Sequence, residues 1–386
     1  MPRDVALLDE CRTLQRAIRE VRTYDALTRS AGWPELQRRF EQLLGTPGRT
    51  EAAAPVPAAA DPAAPGAPLR AVHWNIEHGN WYDQVEAALR NHPQLAGADL
   101  LMFNEIDLGM ARAGNRDVTA DLARALGLNS VFAPLFLETT VGRDDDAHTA
   151  AGRENEEGLF GNAVLSRFPI GEARIVPLPS PSQVQFDLER MYGRHAALIV
   201  EVLRPGAPFV AVSVHLEVHR TRNHRAAQIR TVMDALHDEQ RPIVLAGDFN
   251  THTFDRGLWH APIEGAAALL LAPTHALSQR LLWPDRGRSR EKLFDALRRA
   301  GFEWEPFVDH EPTLQLRFDR IDEIRALPPP LEHVVHAWLK WAEKRARLRL
   351  DWFAGRGWSG GRGLTVPGLD GPGRASDHAP IVAELW

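Results

Sequence analysis

The sequence predicts an α+β protein, built as a layered sheet sandwich flanked by helices. Short apolar runs bounded by polar residues recur along the chain from Leu69 onward, as expected of buried strands. Segments with helical periodicity separate some of these runs, whereas other runs follow one another directly, so mixed sheets are expected rather than a purely parallel one. Hydrophobic residues make up 44% and charged residues 25% of the 386-residue chain, which is typical of a folded globular protein.

Residues 1–45 are predicted to form an N-terminal helical segment. Apolar residues between Leu7 and Val21 fall at helical spacing, with Arg and Glu between them. Pro34 can open a second helix, which Gly45 ends. We expect a helical pair that packs on the main domain, and a module that docks a partner protein is the alternative.

Residues 46–68 are predicted to be a linker between this segment and the main domain. They are rich in Ala, Pro and Gly and carry almost no large apolar side chain, so they cannot bury enough surface to fold. The remaining residues, 69–386, are long enough for one large domain with a core of its own.

Strands and helices follow one another through residues 69–386. The predicted strands cover residues 72–74, 100–103, 163–165, 197–202, 209–214, 243–246 and 381–385. The predicted helices cover residues 85–90, 119–126, 226–237 and 290–300. The step from residues 195–203 to 208–214 leaves room only for a hairpin, so at least one strand pair should be antiparallel.

Charge, cysteine content and hydropathy exclude several classes of protein. The chain has 45 Lys and Arg residues against 51 Asp and Glu, and this net charge of -6 argues against binding nucleic acid by bulk charge. With one cysteine, Cys11, no intramolecular disulfide can form. No apolar stretch is long enough to span a membrane or to act as the core of a signal peptide. We therefore expect a soluble, cytoplasmic protein.

Polar residues gather where the predicted strands end. In layered α/β proteins ligands bind at strand ends, because loops converge there over a rigid sheet. Each of these residues alone is typical of a turn, but six such sites in one chain favour a functional site. The residues are Asn75, Glu77, Glu105, His215, Asp248, Asn250, Asp351, Asp377 and His378.

These residue types suit metal-assisted attack on phosphorus. Mg²⁺ prefers oxygen ligands, and Glu105 with an acid at Glu77 or Asp377 could hold it. The chain has no Cys cluster and no His-x-x-x-His pair, so a thiolate-rich zinc site is not expected. The imidazoles of His215 and His378 can stabilise negative charge on phosphoryl oxygens or move protons near neutral pH.

Seven sequence blocks, in this order, resemble the endonuclease/exonuclease/phosphatase superfamily, which includes pancreatic-type deoxyribonucleases, apurinic endonucleases and neutral sphingomyelinases. The blocks are residues 74–79, 103–105, 161–166, 214–216, 247–250, 350–353 and 376–378. The resemblance covers residues 72–386. It implies a four-layered α/β sandwich with two packed mixed β-sheets flanked by helices, and a metal-dependent phosphoesterase activity.

The resemblance also implies a metal site. Glu105 would be the principal metal ligand, with Asn75, Glu77 and Asp377 lining the metal region. The implied ion is Mg²⁺, with Mn²⁺ as the alternative because both accept similar oxygen sites. Asn104 stands where the family usually has Gln, a change that keeps an amide beside the metal ligand.

The same resemblance implies the catalytic residues. Asp248 would orient or deprotonate the attacking water, and Asn250 would help to hold the phosphate. His378 would contact the phosphoryl oxygens with Asp351 as its carboxylate partner, and His215 would be a second histidine of the site. The implied reaction is a single-step hydrolysis.

The substrate is not identified by the resemblance, because one fold serves many leaving groups. We expect a phosphodiesterase; the alternatives are a nuclease acting on DNA or RNA, and a catalytically idle binding module. Arg345, Arg347 and Arg349 with Trp338 and Trp341 are a candidate phosphate- or base-contacting surface. In the alternative interpretation the tryptophans pack a helix and the arginines face water.

Overall fold

The structure is a computed structural model of the chain. It describes residues 4–52, 67–142, 145–180, 186–187, 189–218, 220–251, 271–287, 290–315, 341, 343, 345–370 and 374–386. Residues 53–66 of the predicted linker, and Trp338 of the candidate arginine and tryptophan surface, lie outside this range.

The helices and strands are numbered here in chain order. The helices are α1 (Val5–Arg19), α2 (Tyr24–Thr28), α3 (Trp33–Gly45), α4 (Tyr82–Asn91), α5 (Val118–Leu126), α6 (Asp145–Ala150), α7 (Arg222–Ala235), α8 (Thr274–Leu282) and α9 (Leu293–Arg299). The strands are β1 (Gly48–Thr50), β2 (Leu69–His78), β3 (Leu100–Leu108), β4 (Asn129–Glu138), β5 (Leu159–Ser166), β6 (Ile170–Pro177), β7 (Met191–Gly193), β8 (Ala196–Val202), β9 (Phe209–His215), β10 (Ile243–Asp248), β11 (Leu314–Gln315), β12 (Arg347–Leu348), β13 (Asp351–Arg356), β14 (Gly361–Thr365) and β15 (Ile381–Leu385).

The strands form two mixed sheets and one small two-stranded sheet. The larger sheet has the order β1-β4-β5-β3-β2-β15-β14, with β7 pairing along β4. The second sheet has the order β13-β10-β9-β8-β6, and β11 pairs with β12. The pairs β2–β3 and β9–β10 are parallel, whereas β8 and β9 form the predicted antiparallel hairpin. The expectation of mixed sheets is therefore confirmed.

Three apolar layers separate the two sheets from each other and from the helices. Between the sheets, Met102 and Val131 of the larger sheet pack with Val200 and Phe209 of the second. On the outer face of the larger sheet lie α4 and α5, together with the N-terminal helices, and on the outer face of the second sheet lie α7 and α9. This is the four-layered sandwich implied by the resemblance, since each sheet buries one face against the other sheet and one against helices.

The N-terminal helices attach to the larger sheet by apolar packing and by hydrogen bonds. Leu14 and Ile18 of α1 are fully buried in the same core as Tyr192 of β7. The buried side chain of Gln15 donates from Nε2 to the main-chain oxygens of Glu156 (3.1 Å) and Glu157 (2.8 Å). None of the described helices is both long and apolar enough to cross a membrane.

Gly247 allows the two central strands of the second sheet to approach closely. It lies in β10 opposite Val214 of β9, and a methyl group at Gly247 would overlap the main-chain oxygen of Val214. Asp248 follows it directly and is the last residue of β10. The glycine thus fixes the strand spacing at the end that carries the candidate site.

We expect Gly247→Ala to lower the free energy of unfolding by about 2 kcal/mol or more, because the overlap is with main chain rather than with a flexible side chain. Urea denaturation followed by circular dichroism measures this loss. Gly45→Ala is the matched control, since a methyl group there has no atom within 4 Å and should change the stability by less than about 0.5 kcal/mol. Equal stability of both variants would contradict the prediction.

Candidate active site

Three predicted residues lie side by side at one end of the second sheet. In the strand register, Asp248 at the end of β10 is opposite His215 of β9 on one side and Asp351 of β13 on the other. All three are buried. The parallel pairing of β9 with β10 brings their carboxyl ends to the same edge, as expected from the position of these residues at the strand ends.

The ends of β2 and β3 in the facing sheet are irregular. The register of this parallel pair shifts between Asn75 and His78, and Glu77 and His78 both have positive φ angles (46° and 66°). Glu105 also has a positive φ of 52°, and it lies within a register shift between β3 and β5. Such strain in residues other than glycine is typical of functional sites, where the surrounding structure holds side chains in a required direction.

Asp351 and His378 form a buried pair. His378 Nδ1 lies 2.8 Å from Asp351 Oδ2. Burial disfavours charge on both groups, but their mutual attraction and hydrogen bond outweigh it. The pKa of Asp351 is therefore held well below its usual value, and the pKa of His378 is raised well above 6.5. The pair is an imidazolium and a carboxylate at neutral pH.

His73, which the sequence analysis did not single out, binds the second oxygen of Asp351. His73 Nε2 lies 3.0 Å from Asp351 Oδ1, and His73 Nδ1 lies 3.0 Å from the main-chain oxygen of Met102. His73 belongs to β2 and Met102 to β3, so this ring connects the larger sheet to Asp351 in the second sheet. Both carboxylate oxygens of Asp351 are thus occupied by histidines.

Asp248 is the point at which side chains from both sheets converge. Its Oδ2 lies 3.4 Å from Asn75 Nδ2, 3.7 Å from His215 Nε2 and 3.9 Å from His378 Nε2. Its Oδ1 accepts a hydrogen bond of 2.9 Å from the main-chain N–H of Asn250. Burial, followed by the nearby Asp351 carboxylate, raises the pKa of Asp248 to about 6.

Asn104, which precedes Glu105, holds the main chain at Asp248. Its Oδ1 accepts from the Asp248 N–H (2.8 Å), and its Nδ2 donates to Asn162 Oδ1 (2.8 Å) and Ser213 Oγ (3.3 Å). Asn104 and Asn162 are fully buried in the larger sheet, whereas Ser213 and Asp248 belong to the second. The amide that the sequence places beside Glu105 therefore joins the two sheets below the site.

Glu105 faces the same space from the larger sheet. Its Oε1 lies 3.9 Å from His215 Nε2, and its Oε2 lies 3.6 Å from His78 Nε2. Desolvation, followed by the charge of Asp377, raises the pKa of Glu105 to about 8. Its side chain nevertheless remains 23% exposed, so a cation from solution can reach it.

Glu77 and Asp377 lie on the same side of the site as Glu105, and the charge of Asp377 acts on both glutamates. The carboxylate of Glu77 is held by the guanidinium of Arg374, with 2.9 Å between Arg374 Nε and Glu77 Oε2. Desolvation, followed by the charge of Asp377, raises the pKa of Glu77 to about 7. Glu77 thus lines the acidic region but is bonded to an arginine.

His215 and Asn250 complete the set of predicted residues. Burial, followed by the charge of His378, lowers the pKa of His215 to about 4, so its ring is neutral at pH 7. The His215 ring packs edge-on against His195, whose Nε2 lies 3.5 Å from Glu217 Oε2. Asn250 donates from Nδ2 to the main-chain oxygen of Leu216 at 2.8 Å, which holds the turn after β10.

A second cluster of charged residues, which the sequence analysis missed, lies behind Glu105. The buried Arg112 binds Asp107 through two hydrogen bonds (2.8 and 3.1 Å) and lies 3.1 Å from Glu138 and 3.3 Å from Asp146. Asp107 follows Glu105 by two positions in β3, which is the only local signal for this cluster.

Two groupings of ligand atoms in the site bear on metal binding. Among the described residues, Asp248, Asp351 and His378 offer ligand atoms within 4.8 Å of one another. Both oxygens of Asp351 are already bonded to histidines, so this grouping fits a metal less well than the oxygen donors around Glu105. Around Glu105, the raised pKa means that no nearby positive charge fully compensates the carboxylate. A hard divalent cation fits such a site.

The candidate arginine and tryptophan surface is not formed as one face. Arg349 is fully buried, and its guanidinium binds Asp309 (2.9 Å) and the main-chain oxygen of Glu311 (3.0 Å). Arg347 lies in β12, an extended segment, and not in the helix that the sequence predicts over residues 333–349. Arg349 therefore fits neither the candidate surface nor the alternative in which the arginines face water, because its side chain points into the protein.

No curated protein sequence matches the chain. An endonuclease/exonuclease/phosphatase from Beutenbergia cavernae has a similar structure, with 19% identity and a TM-score of 0.48 over 82% of this chain and 71% of that one. Truncated Caenorhabditis elegans TDP2 is 14% identical with a TM-score of 0.46, and the match covers 83% of this chain and 98% of that one. The human Nocturnin catalytic domain is 14% identical with a TM-score of 0.43, and the match covers 83% of this chain and 93% of that one.

The family model described as "Endonuclease/Exonuclease/phosphatase family" matches residues 72–378, which is most of the chain. This range includes each of the seven blocks that carry the resemblance. Members of this family are metal-dependent phosphoesterases and nucleases. The chain therefore belongs to the endonuclease/exonuclease/phosphatase family.

Proposed function

We propose that the protein is a divalent-metal-dependent hydrolase of phosphate esters that acts on phosphodiesters. The observation that carries the proposal is the convergence on Asp248. Its carboxylate lies within 3.9 Å of Asn75, His215 and His378, and His215 in turn lies 3.9 Å from Glu105. An acid, two histidines and an acidic metal region thus share one space, as the hydrolysis of a phosphate ester requires.

Glu105 would hold the cation, with Asn75 and Asp377 as further oxygen donors and Glu77 at the edge of the region. These are amide and carboxylate oxygens, which Mg²⁺ and Mn²⁺ both accept. The bound cation would supply positive charge against the negative charge of the phosphoryl group.

Asp248 is the proton acceptor in this proposal. A pKa of about 6 leaves its carboxylate mostly ionised at pH 7 and still basic enough to take a proton from water. The water oxygen forms the new bond to phosphorus, its proton passes to Asp248, and the ester P–O bond breaks on the opposite side. The main-chain N–H of Asn250 and the side chain of Asn75 hold the Asp248 carboxylate in place.

The two histidines stabilise the phosphoryl oxygens. His378 is an imidazolium, since Asp351 holds Nδ1, and Nε2 is left to donate towards the space in front of Asp248. His215 is neutral and donates one N–H without adding charge. The two rings differ in charge because His378 has a carboxylate as its direct hydrogen-bond partner.

The pKa shifts predict the pH dependence of kcat/KM. Asp248 must be ionised, so the rate should rise with pH through about 6 and then level off. His378 must be protonated, so the rate should fall again well above pH 6.5. In Asp351→Asn the imidazolium loses its carboxylate partner, so the alkaline limb should move down by about 1 unit or more. A pH profile of both proteins with a chromogenic diester checks this, and an unmoved alkaline limb would count against the assignment.

A panel of substrates and cations tests the proposed function. The panel holds bis(p-nitrophenyl) phosphate, p-nitrophenyl phosphate, and single- and double-stranded DNA and RNA, each with Mg²⁺, Mn²⁺ or EDTA. We expect turnover of the diester with either cation and none with EDTA. A rate on plasmid DNA that falls with salt, while the rate on the small diester does not, would identify a nuclease. If no ester were hydrolysed with any cation, the proposed hydrolase function would be wrong and a binding module would be favoured.

A further inference from the structure

We propose that Thr313 is a positioning residue that sets the geometry of the Asp351–His378 pair, an inference that rests on the proposed hydrolase function. Thr313 is fully buried and directly precedes β11, in the long stretch between Asn250 and Asp351. The seven blocks that carry the family resemblance do not include it. It is hydrogen-bonded to the main chain at Asp351 and at Ala379, the residue that follows His378.

The side chain of Thr313 binds the main chain at Asp351. Its Oγ1 accepts hydrogen bonds from the N–H of Leu350 (3.0 Å) and from the N–H of Asp351 (3.2 Å). Asp351 is the first residue of β13, so these bonds fix the point where the strand begins. The direction of the Asp351 carboxylate depends on this part of the main chain.

The main chain of Thr313 binds the segment that carries the other member of the pair. Its carbonyl oxygen accepts from the N–H of Ala379 at 2.8 Å, and the next residue, Leu314, forms an isolated antiparallel bridge with His378. The N–H of Thr313 donates to the carbonyl oxygen of Leu348, also at 2.8 Å. One residue is thus bonded to the segments on both sides of the hydrogen bond between Asp351 and His378.

We infer the positioning role of Thr313 from the precision with which the Asp351 and His378 side chains must be placed. Asp351 and His378 lie on segments that are separated along the chain, and the contact between their side chains is a single hydrogen bond of 2.8 Å. Catalytic groups work only when neighbouring residues hold them within about 0.5 Å of the productive geometry. The hydroxyl of Thr313 supplies this restraint at Asp351, while its carbonyl group supplies it next to His378.

Matched variants separate positioning from simple packing. Thr313→Val keeps the shape of the side chain and removes the hydroxyl, whereas Thr313→Ser keeps the hydroxyl. With Mg²⁺ and bis(p-nitrophenyl) phosphate, we expect Thr313→Val to lower kcat by about 10- to 100-fold with KM within about twofold, as for a small misplacement of catalytic groups. Thr313→Ser should retain the kcat of the wild type. Thr313→Ala is measured alongside in case the valine variant does not fold.

Proton NMR measures the geometry of the Asp351–His378 hydrogen bond independently of turnover. The proton between His378 Nδ1 and Asp351 gives a proton NMR signal at low field, which we expect in the wild type and in Thr313→Ser and expect to be shifted or lost in Thr313→Val. Ile18→Val, which removes one buried methyl group from α1, controls for a general loss of stability and should keep both the signal and kcat.

Two results would overturn the inference: a valine variant with the wild-type kcat and low-field signal, or a serine variant that loses as much as the valine variant. If the wild type hydrolyses none of the esters, the proposed function fails, and the low-field signal alone still decides whether Thr313 positions the pair. The two failures are therefore distinguishable.

Discussion

Replacing Asp248 by Asn is expected to lower kcat by about 10³-fold, the largest effect of any single change in the site. Asn has the same shape, and its one oxygen can still accept from the main-chain N–H of Asn250, but its amide cannot take a proton from water. KM should change little, because the phosphoryl oxygens are held by His215, His378 and the metal region. Steady-state kinetics with a chromogenic diester and saturating Mg²⁺ measure the loss.

Asp295→Asn provides the control for this change. Asp295 lies on α9 with 41% of its side chain exposed and pairs with Arg290, 2.7 Å away. The same chemical change at this exposed position should leave kcat unaltered. If Asp248→Asn kept more than about a tenth of the wild-type kcat, general base catalysis by this residue would be excluded.

Replacing Glu105 by Gln is expected to lower metal-dependent turnover nearly as much, and to produce opposite effects on stability with and without metal. Glu105 has a pKa raised to about 8, so at pH 7 the folded protein binds a proton that an unfolded chain, with its ordinary glutamate pKa, does not. This proton uptake opposes folding between the two pKa values, and its cost grows as the pH rises. Gln avoids it, so metal-free Glu105→Gln should have the higher Tm at pH 7.

Added Mg²⁺ or Mn²⁺ should reverse this order. A cation that binds only the folded state raises Tm in proportion to the logarithm of its concentration, and this rise should appear in the wild type and not in Glu105→Gln. Differential scanning calorimetry with and without EDTA measures both effects independently of turnover. Glu86→Gln, a change on the surface of α4 where Glu86 pairs with Arg90, is the control. An equal Tm rise with metal in the wild type and in Glu105→Gln would place the cation elsewhere.

The sequence is most informative where a strand begins and ends. Runs such as residues 209–214 and 243–246 are buried on both faces, so they are apolar except for Ser213 and their bounds are visible. The same pattern located Asp248 and His215, because each is the first polar residue after such a run. Half-exposed β6 was missed, since its polar and apolar residues are mixed without a clear run, and β4 was missed because Pro134 interrupts it.

Residues that support the site from within the fold gave no such signal. His73 lies in the middle of an apolar strand, and its partner Asp351 is 278 positions further along the chain. Thr313 is one of several polar residues in a long connection, and its importance comes from two segments that meet only after folding. Local patterns report which residues end a strand, but not which distant residues will lie behind them.

The position of β15 has a consequence for protein synthesis. β15 pairs with β2 inside the larger sheet, and His378 lies just ahead of it on the chain. A growing chain on the ribosome therefore carries Asn75 and Glu105 long before the strand that completes their sheet has been made. The nascent chain must keep β2 unpaired on one side during this time, and hydrolytic competence should arise only late in translation, once residues 378–385 have been released.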